Sequence, residues 1–160
     1  MPKDIKNIVL GSPVHIFSFG FGAGLSPIAP GTVGTLFAIP VYLVLASFNT
    51  VIYVSCLVVL FVAGCLACKQ TADALGVHDH PGIVIDEIAG YLTAMLFVPN
   101  AWYWVLAGFL LFRTFDIWKP WPVSLADRHV TGGLGIMLDD LLAALYSLLC
   151  LHFLVWIMPG

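Results

Sequence analysis

Charge is what this sequence lacks. Only 9% of its 160 residues are charged, with 6 Lys and Arg and 9 Asp and Glu in total, against roughly 25% charged residues in an average soluble domain. So thin a supply cannot keep a water-facing surface hydrated. With 61% apolar residues and a mean hydropathy of +1.02, the chain reads as an integral membrane protein. A net charge of −3 leaves no basic field for a phosphate backbone, which excludes a nucleic-acid surface. Cysteine is also sparse. Cys56, Cys65, Cys68 and Cys150 lie in apolar runs, and although Cys65 and Cys68 form a C-x-x-C, no second pair or histidine partner completes a zinc set, so they read as small apolar packers. The opening MPKDIKNIVLGSPVH lacks a long apolar stretch and a small-residue cleavage site, and is expected to be retained. No repeat, low-complexity tract or linker divides residues 1–160, which read as one domain.

What is present is apolar and segmented. The runs are Leu36 to Phe48, Val51 to Cys68, Ile88 to Val98, Ala101 to Phe112 and Leu141 to Met158. A crossing helix needs about 20 residues, so the first, third and fourth must recruit their flanks, tilt or stop short. Asn49-Thr50 and Pro99-Asn100 make tight uncharged turns, whereas the other connections hold charged residues, and with Lys3 and Lys6 at the start as basic anchors every Lys and Arg falls on one side. A five-crossing, all-α, multi-pass bundle with its site on loops at the cytosolic face follows from the positive-inside rule. A four-crossing variant, with Leu36 to Phe48 not fully inserted, ranks second because it would carry the segment before that run away from the acids.

That segment, GLSPIAPGTVGTL, is loop-like. Pro27, Pro30 and Gly31 oppose a continuous helix, so a helix is expected only after them, with Thr32 and the free N–H groups of its first turn placed to meet an anion.

Two acidic pairs stand against apolar runs: Asp86 and Glu87 in IVIDEIAGY, and Asp139 and Asp140 in GIMLDDLLAALY. A carboxylate at the edge of hydrocarbon is costly unless it is paired, bound to metal or facing a wet cavity. Acids near helix N-termini can also simply complement the helix dipole, but two such pairs suit a hard divalent cation such as Mg²⁺. Consecutive residues differ by roughly 100° around a helix, so one member of each pair is expected to ligate and the other to support; neighbouring Gly90, Ala143 and Ala144 favour Asp86 and Asp140 as the inward members. In FRTFDIWKPWP, Arg113 and Asp116 share a helix face and Lys119 is expected to continue it until Pro120 and Pro122 end the helix. Arg113 can fork a phosphate, while Trp118 and Trp121 read as headgroup-level anchors. His78, Asp79 and His80, and the DRHVTGGLG loop with Asp127, Arg128 and His129, are weaker signals.

A phosphate-friendly helix start, acids for a divalent metal and an arginine on one side outline a lipid phosphatase. No cysteine is followed six residues later by arginine, no D-x-D occurs and no S-G-H is present, which leaves water activated by metal. SPIAPGTVGTL, GVHDHPGIVIDEIAGY, FRTFDIWKPWP and GGLGIMLDDLLA resemble, in order and spacing, the signature blocks of the bacterial phosphatidylglycerophosphatase A family over nearly the whole chain. The resemblance implies an all-helical, Mg²⁺-dependent inner-membrane enzyme that converts phosphatidylglycerophosphate to phosphatidylglycerol in phospholipid biosynthesis. It maps the blocks onto Pro30, Gly31, Thr32, Asp79, Asp86, Glu87, Arg113, Asp116, Lys119, Asp127, Asp139 and Asp140. The rival reading is a small transporter or channel subunit with a carboxylate-lined cation path, whose expected mark is an acid in mid-span. The partners implied are the bilayer and the lipid substrate; the sequence leaves oligomeric state open.

Overall fold

The structure, a computed structural model, describes residues 3–158, and side chains from Ile5 onward; the side chain of Lys3, expected as a basic anchor, lies outside the described set. The elements are α1 (Lys3–Leu10), α2 (Pro13–Ser18), a 3₁₀ segment (Gly20–Leu25), α3 (Pro30–Leu45), α4 (Thr50–Leu75), α5 (Ile85–Ala94), α6 (Trp102–Trp118), α7 (Val123–His129) and α8 (Gly132–Ile157). Among the described residues there is no strand.

Two helices, α4 and α8, are long and apolar enough to cross a membrane, each with 26 residues. Only 22% and 28% of their most apolar windows are buried, and Val58, Val59, Val62, Leu149, Phe153 and Trp156 face outward, which suits helices that could cross a membrane better than core helices of a water-soluble fold. The other apolar runs give shorter helices, 16 residues in α3 and 17 in α6. The third run departs furthest from a regular crossing. It forms the 10-residue α5, a rise of only about 15 Å, continued by irregular backbone to Ala101.

Irregular backbone at such depth is tolerated only where protein encloses it, and α5 occupies the centre of the bundle. Ile85, Ile88, Tyr91, Leu92 and Ala94 are buried between α3, α4, α6 and α8. The carbonyls that its helical ladder leaves open find partners. Tyr91 O accepts from Met95 N–H at 3.1 Å and Thr93 O from Leu96 N–H at 3.1 Å. Leu92 O accepts from the Tyr53 hydroxyl at 2.8 Å and Val98 O from the Tyr42 hydroxyl at 3.4 Å. Near the opposite end, α4 and α8 touch through small residues. A Cβ at Gly133 would strike the Cys65 carbonyl, and one at Gly64 would lie 2.7 Å from the Met137 sulfur. Cys65 and Cys68 are free thiols packed in this region.

Candidate active site

The acids gather where α5 begins. Asp86 and Glu87 fall in its first turn, so their side chains point back toward the start of the helix. Asp139 and Asp140 do not sit at a helix start: α8 begins at Gly132, about two turns earlier. The helix-dipole explanation therefore does not apply to them. Carboxylate oxygens of Asp86, Glu87 and Asp140 all lie within 4.8 Å of one another. Asp86 and Asp140 are 8% and 4% exposed, and Asp86 Oδ1, Glu87 Oε2 and Asp140 Oδ2 are buried without a hydrogen-bond partner. Oxygen donors converging in this way form a set that could hold a metal ion.

Arg113 enters from α6. Its Nη1 pairs with Asp116 one turn on, lies 3.7 Å from Glu87 Oε1, and leaves Nε buried without a partner. Gly31, in the first turn of α3, packs against the same group: a Cβ there would collide with Glu87 Oε1 and come within 3.2 Å of Arg113 Nη1. The helix start differs from expectation. Pro30 is itself the first helical residue, where its missing N–H costs nothing, and Ala29 before it is left-handed at φ 46°. No side chain caps this end, so the first-turn N–H groups of Gly31 and Thr32 are open. Gly31 has no positive φ among the backbone exceptions; close packing, not backbone freedom, requires a glycine there.

Lys119 was expected to continue the face of Arg113 and Asp116, but α6 ends at Trp118 and Lys119 is the left-handed cap, at φ 46°. The turn carries its Nζ to 2.5 Å from Asp127 Oδ1 and 2.6 Å from Asp139 Oδ2. Burial alone would lower the Lys119 pKa; the two carboxylates outweigh it and raise it. Asp139 keeps Oδ1 unpartnered. A cavity of about 30 Å³ adjoins this pair, lined by His78, Asp79, Asp127 and Asp139 with Gly135 and Ile136 among others. Asp79 reaches solvent, yet desolvation by its neighbours holds its carboxyl above the usual carboxylate range against the pull of Lys119. Burial pushes His80 below the usual imidazole range, and the His80 Nδ1 accepts from Gly82 N–H at 3.0 Å.

Asp86, Glu87, Asp140, Arg113, Asp116 and Gly31 are thus brought together, and Lys119, Asp127, Asp139 and Asp79 form an adjoining group. Both members of the first acidic pair join the triad, whereas one was expected to stand back; of the second pair, Asp140 joins and Asp139 turns to Lys119. Pro30 and Thr32 take part through the start of α3, and among the described residues neither side chain hydrogen-bonds to the acids. Arg128 is exposed, and the His129 ring bonds back to Leu125 O. Sequence reasoning missed the Lys119 bridge to Asp139, because it depends on the left-handed turn by which the chain leaves α6 at Lys119.

Residues 16–155 match the family described as Phosphatidylglycerophosphatase A. A Phosphatidylglycerophosphatase A of Escherichia coli is 43% identical over 155 residues, covering 95% of this chain and 90% of the relative. One of Haemophilus influenzae is 42% identical over 147 residues, 91% and 90%. A Bacteroides thetaiotaomicron protein provisionally named phosphatidylinositol-3-phosphatase is 40% identical over 146 residues, 86% and 91%. No solved structure matches the chain. With the family's span covering nearly the whole sequence and two relatives above 40% identity, the chain belongs to the phosphatidylglycerophosphatase A family.

Proposed function

We propose that this lipid phosphatase releases the terminal phosphate of phosphatidylglycerophosphate to leave phosphatidylglycerol, working at the cytosolic face of a bacterial inner membrane with Mg²⁺ held by Asp86, Glu87 and Asp140. The observation that carries the reading is the buried triad with three unpartnered carboxylate oxygens beside Arg113 and the open start of α3. Three acids at this depth repel one another and no hydrogen-bond donor satisfies those oxygens, so the set suits a dication, and an all-oxygen set suits Mg²⁺. When bound, the ion draws charge from the phosphoryl oxygens and acidifies water in the site. Arg113, held by Asp116, offers its unpartnered Nε to a phosphate oxygen, and the Gly31 and Thr32 N–H groups add the positive end of the α3 dipole. Lys119, fixed between Asp127 and Asp139, adds a second cation. Asp79, with its raised pKa, is suited to hand a proton to the departing glycerol oxygen as the phosphorus–oxygen bond breaks. The name of the Bacteroides relative points to a different phosphorylated lipid headgroup, which fits a site that grips the phosphate first. Lys6, Lys69, Arg113, Lys119 and Arg128 belong to elements at the acidic end of the bundle, which favours that end as cytosolic.

The test is phosphate release by the purified protein from phosphatidylglycerophosphate in mixed micelles, with Mg²⁺ and with chelator. Asp86→Asn and Asp140→Asn are expected to raise the Mg²⁺ concentration for half-activity by roughly tenfold or more and to lower turnover about 10²-fold, the scale of losing a directly placed charge. Cys65→Ser and Cys68→Ser should leave the Mg²⁺ dependence unchanged. Release indifferent to chelator, or unaltered in both asparagine variants, would overturn the assignment.

A further inference from the structure

Beside the triad, the small cavity lined by Asp139, Asp127 and Asp79 contains a donor site without a donor. Its volume is about 30 Å³, room for one water-sized group. Asp139, on its wall, is only 6% exposed; Lys119 Nζ takes Oδ2 at 2.6 Å, and Oδ1 is buried with no partner. A carboxylate oxygen left bare at that depth is costly, so the cavity is built for a group that donates a hydrogen bond. His78 does not supply it through Nε2, which accepts from Gly132 N–H at 3.2 Å. A second dication suits the place poorly, because the Lys119 ammonium already lies between Asp127 and Asp139 and the space leaves no room for an ion that keeps its waters. A hydroxyl is small, neutral and a donor.

We infer that this cavity receives the free hydroxyl of the lipid's glycerol headgroup, which donates to Asp139 Oδ1, so that the site reads a polyol phosphate and not a phosphate alone. The inference rests on the phosphatase reading above. It uses the adjacency of Asp139 and Asp140: the oxygen that binds the hydroxyl stands one residue from the triad that faces the phosphate. On the ligand, the hydroxyl and the phosphate ester are likewise borne on neighbouring carbons.

The experiment compares phosphatidylglycerophosphate with an analogue in which propane-1,3-diol replaces the headgroup glycerol and the central hydroxyl is missing. The intact protein should show kcat/KM lower by roughly 10- to 100-fold on the analogue, the scale of a buried acceptor left unpaired. In Asp139→Ala the ratio between the two substrates should fall to about one, whatever the overall loss of rate. A second arm needs no variant: glycerol 3-phosphate should inhibit the intact protein more strongly than 3-hydroxypropyl phosphate, which lacks the central hydroxyl alone, by a similar factor. Equal turnover of both substrates, equal inhibition by both soluble esters, or a substrate ratio unchanged in Asp139→Ala would overturn the hydroxyl site and leave the phosphatase standing. Failure of the intact protein to release phosphate from either lipid would instead remove the phosphatase reading, and this inference with it.

Discussion

A single methyl group is enough to probe the packing at Gly31. Its added Cβ would collide with the Glu87 carboxylate and crowd Arg113, so Gly31→Ala must displace one arm of the triad and Gly31→Val must displace both groups. The expected result is a stability loss of about 1–3 kcal/mol for the valine variant and a fall in turnover of roughly 10²-fold or more, since a shift near 1 Å at a reacting group costs that much. Thermal unfolding in detergent and phosphate release, measured on both variants, check the order valine worse than alanine; full activity in Gly31→Val would return the segment to a plain turn. At this scale the sequence was informative about chemistry and poor about partners. Asp86, Glu87 and Asp140 stand out because carboxylates are so scarce in an apolar chain. The use of Gly31 as a seat for Glu87 was not legible, since it depends on α3 crossing α5, which no local pattern encodes.

Among the elements, α5 sets the depth of Asp86 and Glu87, and Tyr53 helps to fix it by donating to Leu92 O from the first turn of α4. Tyr53→Phe leaves that carbonyl buried and bare, which should cost about 1–2 kcal/mol, read as a lowered unfolding midpoint in mixed micelles. Tyr103→Phe, at a 45% exposed site, should change nothing. At the other end of α5, His80 carries a pH dependence. Its native pKa lies below the model-peptide value of 6.5 because burial disfavours the imidazolium, and its Nδ1 must stay unprotonated to accept from Gly82. The unfolded chain therefore binds more protons than the native one between the depressed pKa and 6.5, and stability should fall as pH drops through that window. Between about pH 7.5 and 5.5 the midpoint of the intact protein should fall further than that of His80→Gln; parallel curves would refute this. The apolar runs announced α4 and α8 by length alone. That the third run could stop short was legible, but not that α5 would end after 10 residues, because Leu96 to Val98 is as apolar as the helix it follows and the ladder ends where Tyr53 takes Leu92 O and Phe97 turns left-handed.

For the molecule as a whole, the proposed orientation predicts sidedness. In a background without its four cysteines, a cysteine introduced at exposed Asp79 should react with an impermeant reagent only from the cytoplasm, and one at exposed Asn100 only from the opposite face. Reaction of both from one side would refute it. The class of protein was legible from composition, and the family from four short blocks, because both depend on residue identity and not on packing. The helix lengths have a further consequence for the surrounding lipid. α4 and α8, at 26 residues, rise about 39 Å, more than a hydrocarbon core of about 30 Å. α3 and α6, at 16 and 17 residues, rise only about 24–26 Å. Were α3 and α6 to span the bilayer as well, lipids beside them would meet a protein wall shorter than their own tails, a mismatch that thinning of the bilayer relieves. Thinning on that flank, where Gly31 and Arg113 border the triad, would let a headgroup reach the acids without leaving the membrane.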